Sequence, residues 1–456
     1  MSTDTHTRTH TPPADAPAQP ATARPLACSP WKIVPIADYA LPTDSQPALL
    51  RRRWRSFARL LRGDGEDSTQ AHAEAELRAL PRVRLENLVP PLDWAPAAAA
   101  LDEALAGGYD EAHDEARASA RAAHGPGVHV LVCPPACEHA SVLAHWAKAH
   151  DARTIDPPDA KRILDEDVRW LDELVDAADG RPWVLPRLER CFLRHASGLA
   201  LLRGVLELAF SGRLGPGLIG CDSWAFAYVQ RIWPLPEAAL LTLQAFDGEA
   251  LAAHFVRPHL DGAARRVDFR IASSGKPLLR GPEGEQADAR AADTGDAHSP
   301  ELRQLAAHVR GNPGLAWHYW RRRLRDAPEP RGDAGASARE DDPERTRRHL
   351  ATGEDVVWIA DTVEAPALPA ESGEDDALLF HALLLHAGLP ASLLARLLPL
   401  PMARIRSKLL RLEALGLIEA PPPADAQAEP CWQVAALAYP TVREFLRSRS
   451  YLTDAF

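Results

Sequence analysis

Between residues 84 and 257 short apolar runs alternate with stretches whose apolar residues recur every three or four positions. Val128–Val132 is a continuous buried-type run and predicts a strand. His139–His150 places Val142, Leu143 and Trp146 on one face and predicts a helix. Ile163, Leu164, Val168, Leu171, Leu174 and Val175 mark a second amphipathic helix. Trp183-Val184-Leu185, entered through Pro182, reads as another strand, since proline suits a strand's first position. Leu188–Phe210 reads as one long helix, Leu218–Cys221 and Leu240–Phe246 as further strands, and Gly248–Phe255 as a short helix. Strands separated by helices of these lengths predict an α/β core over 111–257, a parallel sheet covered by helices.

The flanks differ in pattern. Residues 1–24 carry almost no large apolar side chain, cannot offset the entropy of ordering, and are expected to be a disordered tail. Within an N-terminal extension, 25–110, Trp31–Ile36 reads as a short strand. Residues 49–62 set Leu50, Trp54, Phe57 and Leu61 against an arginine-covered face. That helix suits packing on the core, with contact to a membrane surface or a partner as the other reading. Residues 258–300 read as an irregular insertion, 301–325 as two helices broken at Gly311-Asn312-Pro313-Gly314, and 326–373 as a charged linker with a short strand. From 374 to 456 the pattern gives helices at 377–386, 392–398 and 402–415, with Gly416 in a capping position. Two strands, 417–420 and 431–434, and a closing helix at 442–446 complete a winged-helix pattern.

The full length of 456 residues allows two or three domains with real cores. A net charge of −11 argues against a nucleic-acid surface covering the whole molecule. The abundance of Ala, Pro and Arg fits a GC-rich bacterial coding bias. Six scattered cysteines form no C-x-x-C pair, and no secretory pattern or 18-residue apolar run is present, so reduced thiols in a cytoplasm are expected. Cys133 and Cys137 flank a loop with His139 nearby, but no second ligand pair accompanies them and no metal site is assigned.

The candidate chemistry sits where the 128–132 strand meets the 139–150 helix. A strand, a tight loop and a helix start form the layout of a phosphate-binding loop, G-x-x-x-x-G-K-[ST]. Here the loop is Cys133-Pro134-Pro135-Ala136-Cys137-Glu138-His139-Ala140. Glu138 would direct negative charge at a phosphate, His139 replaces the lysine, and Ala140 lacks the hydroxyl that binds magnesium. Downstream, Trp183-Val184-Leu185-Pro186-Arg187-Leu188-Glu189 has Pro186 and Arg187 where the acids that hold magnesium would stand, with Glu189 retained. Asp222 and Ser223 follow the third strand, where they suit a polar sensor or a helix cap. Gly311-Asn312-Pro313 marks the helix–helix break.

This ordered set, over about 110–456, resembles the AAA+ ATPases and more closely their STAND signalling branch. The resemblance implies a P-loop NTPase-like core, a small helical lid at 301–325 whose Gly311 and Pro313 turn packs on adenine, and a winged helix after it. It also implies a nucleotide site at Cys133–Ala140, Glu189, Asp222, Ser223, Gly311 and Pro313. With the lysine, hydroxyl and acids replaced, the main electrostatic sources of phosphoryl transfer are missing. The expectation is a catalytically inactive regulatory or scaffold component of a cytoplasmic complex. It would have a protein partner and would bind ATP or ADP weakly, without strong magnesium coordination.

Two alternatives stay open. Arg404, Arg406, Lys408 and Arg411 lie on the third helix of the winged-helix pattern, the one that enters a DNA groove in such domains. Against a DNA-binding regulator, 374–456 holds eight Lys/Arg and nine Asp/Glu, a net of −1, where DNA modules are clearly basic. The other alternative is an active ATPase with an unusual loop. Arg321–Arg325 offers a basic run that suits a solvated helix face, a basic patch or an arginine supplied to a neighbouring subunit. The oligomeric state is left open.

Overall fold

The computed structural model describes residues 29–42, 76–106, 127–261, 266–279, 299–327, 354–361, 363, 365–422 and 429–456. The expected tail at 1–24 and helix at 49–62 lie outside these residues, as do residues 328–353 of the 326–373 linker and the second half of the 258–300 insertion.

Strands β1 (Ile33–Pro35), β2 (Arg78–Ala79), β3 (Val128–Cys133), β4 (Arg153–Thr154), β5 (Trp183–Leu185), β6 (Gly217–Asp222) and β7 (Leu240–Leu243) open the chain. All of them except β2 form one six-stranded sheet, ordered β1-β7-β3-β6-β5-β4. The five strands from β7 to β4 are parallel, and β1 closes the edge antiparallel to β7. The interior strands are mostly apolar because both of their faces are covered: Val130, Leu131, Val132, Val184, Leu185 and Ile219 are fully buried. Helices His139–Ala149, Ala200–Phe210 and Ser223–Ile232 supply that cover. The result is a mixed α/β fold with a parallel-rich central sheet, consistent with the P-loop NTPase-like core the resemblance implies.

Three expectations change here. The single helix read through Ile163, Leu164, Val168, Leu171, Leu174 and Val175 is two helices, Ala160–Leu164 and Arg169–Asp176. Leu188–Phe210 is not one helix: Leu188–Arg190 is a single 3-10 turn, and the α-helix begins only at Ala200. The apolar residues between them, Cys191, Phe192 and Leu193, are buried by irregular chain. That chain is folded back so tightly that Leu193 N–H donates to the Gly198 carbonyl, and any Cβ at 198 would sit 2.1 Å from the Leu193 oxygen. The 258–300 insertion is likewise not wholly irregular. It contributes β8 (Arg266–Ile271), which pairs in parallel with β10 (Glu354–Ile359). Strand β9 (Leu324–Asp326) joins β10 antiparallel and β2 completes a second, four-stranded sheet ordered β2-β9-β10-β8.

Beyond residue 373, helices Glu374–Leu385, Ala391–Leu397 and Met402–Ala414 are followed by Tyr439–Ser448. Strands β11 (Leu389–Pro390), β12 (Ile418–Glu419) and β13 (Cys431–Val434) form a small antiparallel sheet with β13 in the middle. This unit is anchored on the core. The Arg190 guanidinium donates to the Ala387 carbonyl at 2.7 Å, and the Arg194 N–H donates to His386 Nε2 at 3.3 Å. Burial, together with the nearby positive charges of Arg190 and Arg194, depresses His386 to about 3, so it meets the Arg194 amide as a neutral acceptor.

Candidate functional site

The loop after β3 lies at the carboxyl end of the parallel strands, where open α/β sheets bind ligands. It turns sharply: Cys137 N–H donates to the Pro134 carbonyl at 3.2 Å, and Ala136 and Glu138 adopt left-handed φ values of 67° and 34°. Its outer face is sealed by the start of helix Pro313–Arg323. Asn312 Nδ2 donates to the Pro135 carbonyl at 2.6 Å, while Cys137 Sγ donates to Asn312 Oδ1 at 3.3 Å. The same Oδ1 caps the helix by accepting from Leu315 N–H at 2.9 Å. Gly314 presses so closely that a Cβ there would lie 1.8 Å from the Ala136 oxygen. Burial pushes the Cys133 thiol up to about 12 and Cys137 well above its usual value.

Below the loop, three sequence-selected residues do meet. His139 Nε2 is 3.2 Å from Glu189 Oε1, and both side chains are buried. The other Glu189 oxygen accepts from Asp222 N–H at 3.3 Å. Burial pushes the Glu189 carboxyl up, but the charge and hydrogen bond of His139, its own backbone N–H and Arg187 outweigh that and hold it below the usual carboxylate range. Asp222 goes the other way: burial first, then the Glu189 charge, raise it well above an ordinary aspartate. The two neighbouring acids are thus driven apart, Glu189 downward and Asp222 upward. Asp222 Oδ1 also caps the following helix, accepting from Trp224 N–H at 2.8 Å.

Ser223 leads into a second buried cluster that the sequence did not indicate. Its Oγ donates to Asp454 Oδ2 at 2.5 Å. Tyr439 OH donates to the same oxygen at 3.2 Å and accepts from Trp224 Nε1 at 3.0 Å. Arg443 donates to Asp454 Oδ1 at 3.0 Å and to its backbone oxygen at 2.9 Å. Beside them, Arg310 donates to the backbone oxygens of Phe456 at 2.6 Å and Ala455 at 3.3 Å. Phe456 packs its ring on Tyr39, with centroids 4.9 Å apart. Burial raises the Tyr39 hydroxyl, with Cys137, Asp454 and Cys133 adding to the effect and Arg310 opposing it, which places Tyr39 between the loop and this cluster.

The remaining candidates take structural positions. Gly311, at φ 73°, accepts from Phe246 N–H at 2.8 Å, and Pro313 opens the helix that seals the loop. Ala140 lies in the first turn of His139–Ala149, and Pro134 is buried at the turn. On helix Met402–Ala414 the cations are neutralised from within the chain: Arg404 pairs with Asp375, Lys408 with Asp376 at 2.7 Å, and Arg411 with Glu371. Arg406 is exposed. Sequence reasoning marked the Gly311-Asn312-Pro313 break but missed Asn312 as the loop's clamp, and the cluster of Arg310, Tyr439, Arg443 and Asp454 carries no local motif.

No family model and no curated protein matches the chain. Among solved structures, a Walker-type ATPase of Pyrococcus abyssi is 13% identical, with 74% of this chain and 96% of that chain covered and a TM-score of 0.24. The ORC2 protein of Aeropyrum pernix, in ADPNP–ADP complexes, is 14% identical, with 84% and 98% covered and a TM-score of 0.22. At these scores neither superposition decides the fold, which rests on the strand order and contacts above.

Three outcomes follow for purified protein. Gly314→Ala must displace the Ala136 carbonyl, and thermal unfolding should show a loss of about 1–3 kcal/mol; an unchanged midpoint would mean that the loop is not clamped. His139→Ala leaves the Glu189 charge buried without its partner and should cost about 3–5 kcal/mol, more than the double variant His139→Ala/Glu189→Leu. Asp222 is raised in the folded chain relative to about 4 when unfolded, so folding favours its protonated form. Its contribution is complete below about pH 4 and declines as pH rises toward the folded value. Asp222→Asn needs no proton, so its midpoint should gain on wild type as pH rises above about 4; a pH-independent difference would refute the raised value.

Proposed function

We propose that the chain is an AAA+/STAND-type protein with degenerate nucleotide motifs and a C-terminal winged helix, acting as a regulatory or scaffold component and not as an ATPase. The observation that carries this reading is the internal occupation of the candidate phosphate loop. Asn312 and Gly314 cover Pro135 and Ala136, while His139, at the lysine position, is turned down onto Glu189. A phosphoryl-transfer site needs oriented donors and a metal at the γ-phosphate. Here the Pro134 and Pro135 carbonyls and the Cys137 amide and thiol are bonded within the chain, and Glu189, the one retained acid, is bound to His139 and to a backbone amide.

The 374–456 unit is assigned to regulatory packing against the core. The seams at Arg190–Ala387 and Trp224–Tyr439 support this, as does the ion pairing of Arg404, Lys408 and Arg411, which leaves little free positive charge for a DNA backbone. A protein partner is the corresponding expectation, with ATP or ADP bound weakly and without strong magnesium coordination.

ATP turnover by purified protein is the direct test, and no magnesium-dependent hydrolysis above the buffer blank is expected. Robust turnover would sink the proposal. The variant His139→Lys/Ala140→Thr restores the missing loop chemistry but leaves Asn312 and Gly314 in place. It should therefore leave ATP affinity, read by equilibrium dialysis, unchanged. A steep rise would show that the loop opens to a phosphate and is merely decayed.

A further inference from the structure

A cavity of about 280 Å³ lies at the seam between the core and the C-terminal unit. Helix Glu374–Leu385 lines it with Leu378, Ala382 and Leu385. These positions are spaced by four residues and then three, so they share one helix face. Leu397 and Leu398, where the helix Ala391–Leu397 ends, line it as well. Past its acidic first turn, Glu374–Leu385 is apolar on every side apart from His381, the pattern of a helix meant to be covered all round. Around the cavity that cover is incomplete: Leu378, Leu397 and Leu398 are left half-buried.

Two polar residues stand on this wall, Arg194 and His386, and no acid does. Arg194 comes from the irregular chain that precedes helix Ala200–Phe210. Its Nη1 meets His381 Nδ1 at 3.2 Å. That imidazole is neutral: burial first, then the Arg194 charge, push it down to about 4, with the Leu452 carbonyl opposing. No carboxylate of a described residue pairs with Arg194, and its Nε and Nη2 bond to no described residue. His386 is 1% exposed. Its Nε2 accepts from the Arg194 amide, so the neutral ring carries its proton on Nδ1. That nitrogen has no hydrogen-bond partner. The Glu189 carbonyl is near enough to favour the ring's charged form but does not meet Nδ1 in bonding geometry. A guanidinium without a carboxylate and a buried N–H without an acceptor both call for an anion.

We infer that this cavity is a binding site for a small organic carboxylate with an apolar body, of the arylalkanoate class. The carboxylate takes the open nitrogens of Arg194 and the Nδ1–H of His386, and the ring and methylenes lie on Leu378, Leu385, Leu397 and Leu398. An apolar cavity of about 150 Å³ takes benzene, so this one has room for a ring with a short chain. A bare phosphate fits less well, since the leucines offer it no donor. The bound molecule joins Arg194 of the core to two helices of the C-terminal unit and so ties the seam between them. The inference goes beyond the function proposed above and does not rest on it: ATP turnover decides that reading and leaves this one untouched.

The probe is 4-phenylbutyrate, titrated into the full chain in a calorimeter. The controls are 4-phenylbutanol, the same body without the charge, and butyrate, the charge without the ring. Saturable one-to-one binding of 4-phenylbutyrate is expected, with each control at least about tenfold weaker. Arg194→Gln keeps a donor for His381 but loses the charge, so it should weaken 4-phenylbutyrate at least about tenfold and leave 4-phenylbutanol unchanged. Ala382→Leu fills the cavity without altering either polar group and should abolish binding. The comparison of ligand with controls in the wild-type chain needs no variant, and it carries the test where a variant does not fold. Absence of saturable binding, 4-phenylbutanol as tight as 4-phenylbutyrate, or full affinity in Ala382→Leu each overturns the inference.

Discussion

Everything at the carboxyl end of the central sheet depends on the buried charge of Glu189. A carboxylate with no solvent exposure is tolerated only where fixed donors replace its water, and here they are the His139 ring and the Asp222 amide. That requirement fixes the start of helix His139–Ala149, the short turn Leu188–Arg190 and the end of β6 relative to one another. It also acts on Asp222, whose carboxyl is raised by burial and by the Glu189 charge beside it. From Asp222 the helix Ser223–Ile232 is capped, and through Ser223 and Trp224 the network reaches Tyr439, Arg443 and Asp454. One buried acid is in this way connected to the whole seam between the core and the C-terminal unit.

The core strands were legible in the sequence because parallel strands buried on both faces read as unbroken apolar runs, as β3, β5 and β6 do. The helix at Leu188–Phe210 was misread for a related reason. Leu188, Cys191, Phe192 and Leu193 are as buried as helix residues, but irregular chain buries them, and periodicity reports burial rather than backbone. Strand β8 was missed because Arg266–Ile271 alternates polar and apolar residues inside a stretch rich in turn formers, and its partner β10 lies more than eighty residues on. For the site, the order of segments led to His139, Glu189, Asp222 and Ser223. It could not lead to Asp454, whose bond to Ser223 spans 231 positions and leaves no local mark.

The substitutions in the phosphate-loop segment have a coherent physical outcome. A glycine-rich loop leaves backbone amides free for an anion, at a cost in chain entropy. Here Cys133 and Glu138 stand at the glycine positions with two prolines between them, and the loop is packed by Asn312 and Gly314. Histidine in the lysine's place is short enough to turn inward to Glu189 instead of outward to solvent. The exchange converts a flexible ligand cradle into a structural joint between the sheet and the helices at 300–323.

The second sheet carries a consequence for how the chain is made. Its strands come from residues 78–79, 266–271, 324–326 and 354–359, and β10, the last to be synthesised, is the one that bonds to both β8 and β9. During vectorial synthesis β8 therefore leaves the ribosome with its pairing edge open, and the extension around Arg78 has no strand to join until β9 has emerged. The central sheet, complete by residue 243, is able to form long before. The chain is assembled as an early α/β nucleus onto which its own beginning and middle are sewn late by a single strand, and the interval in which those edges stay open is when a chaperone would be needed most.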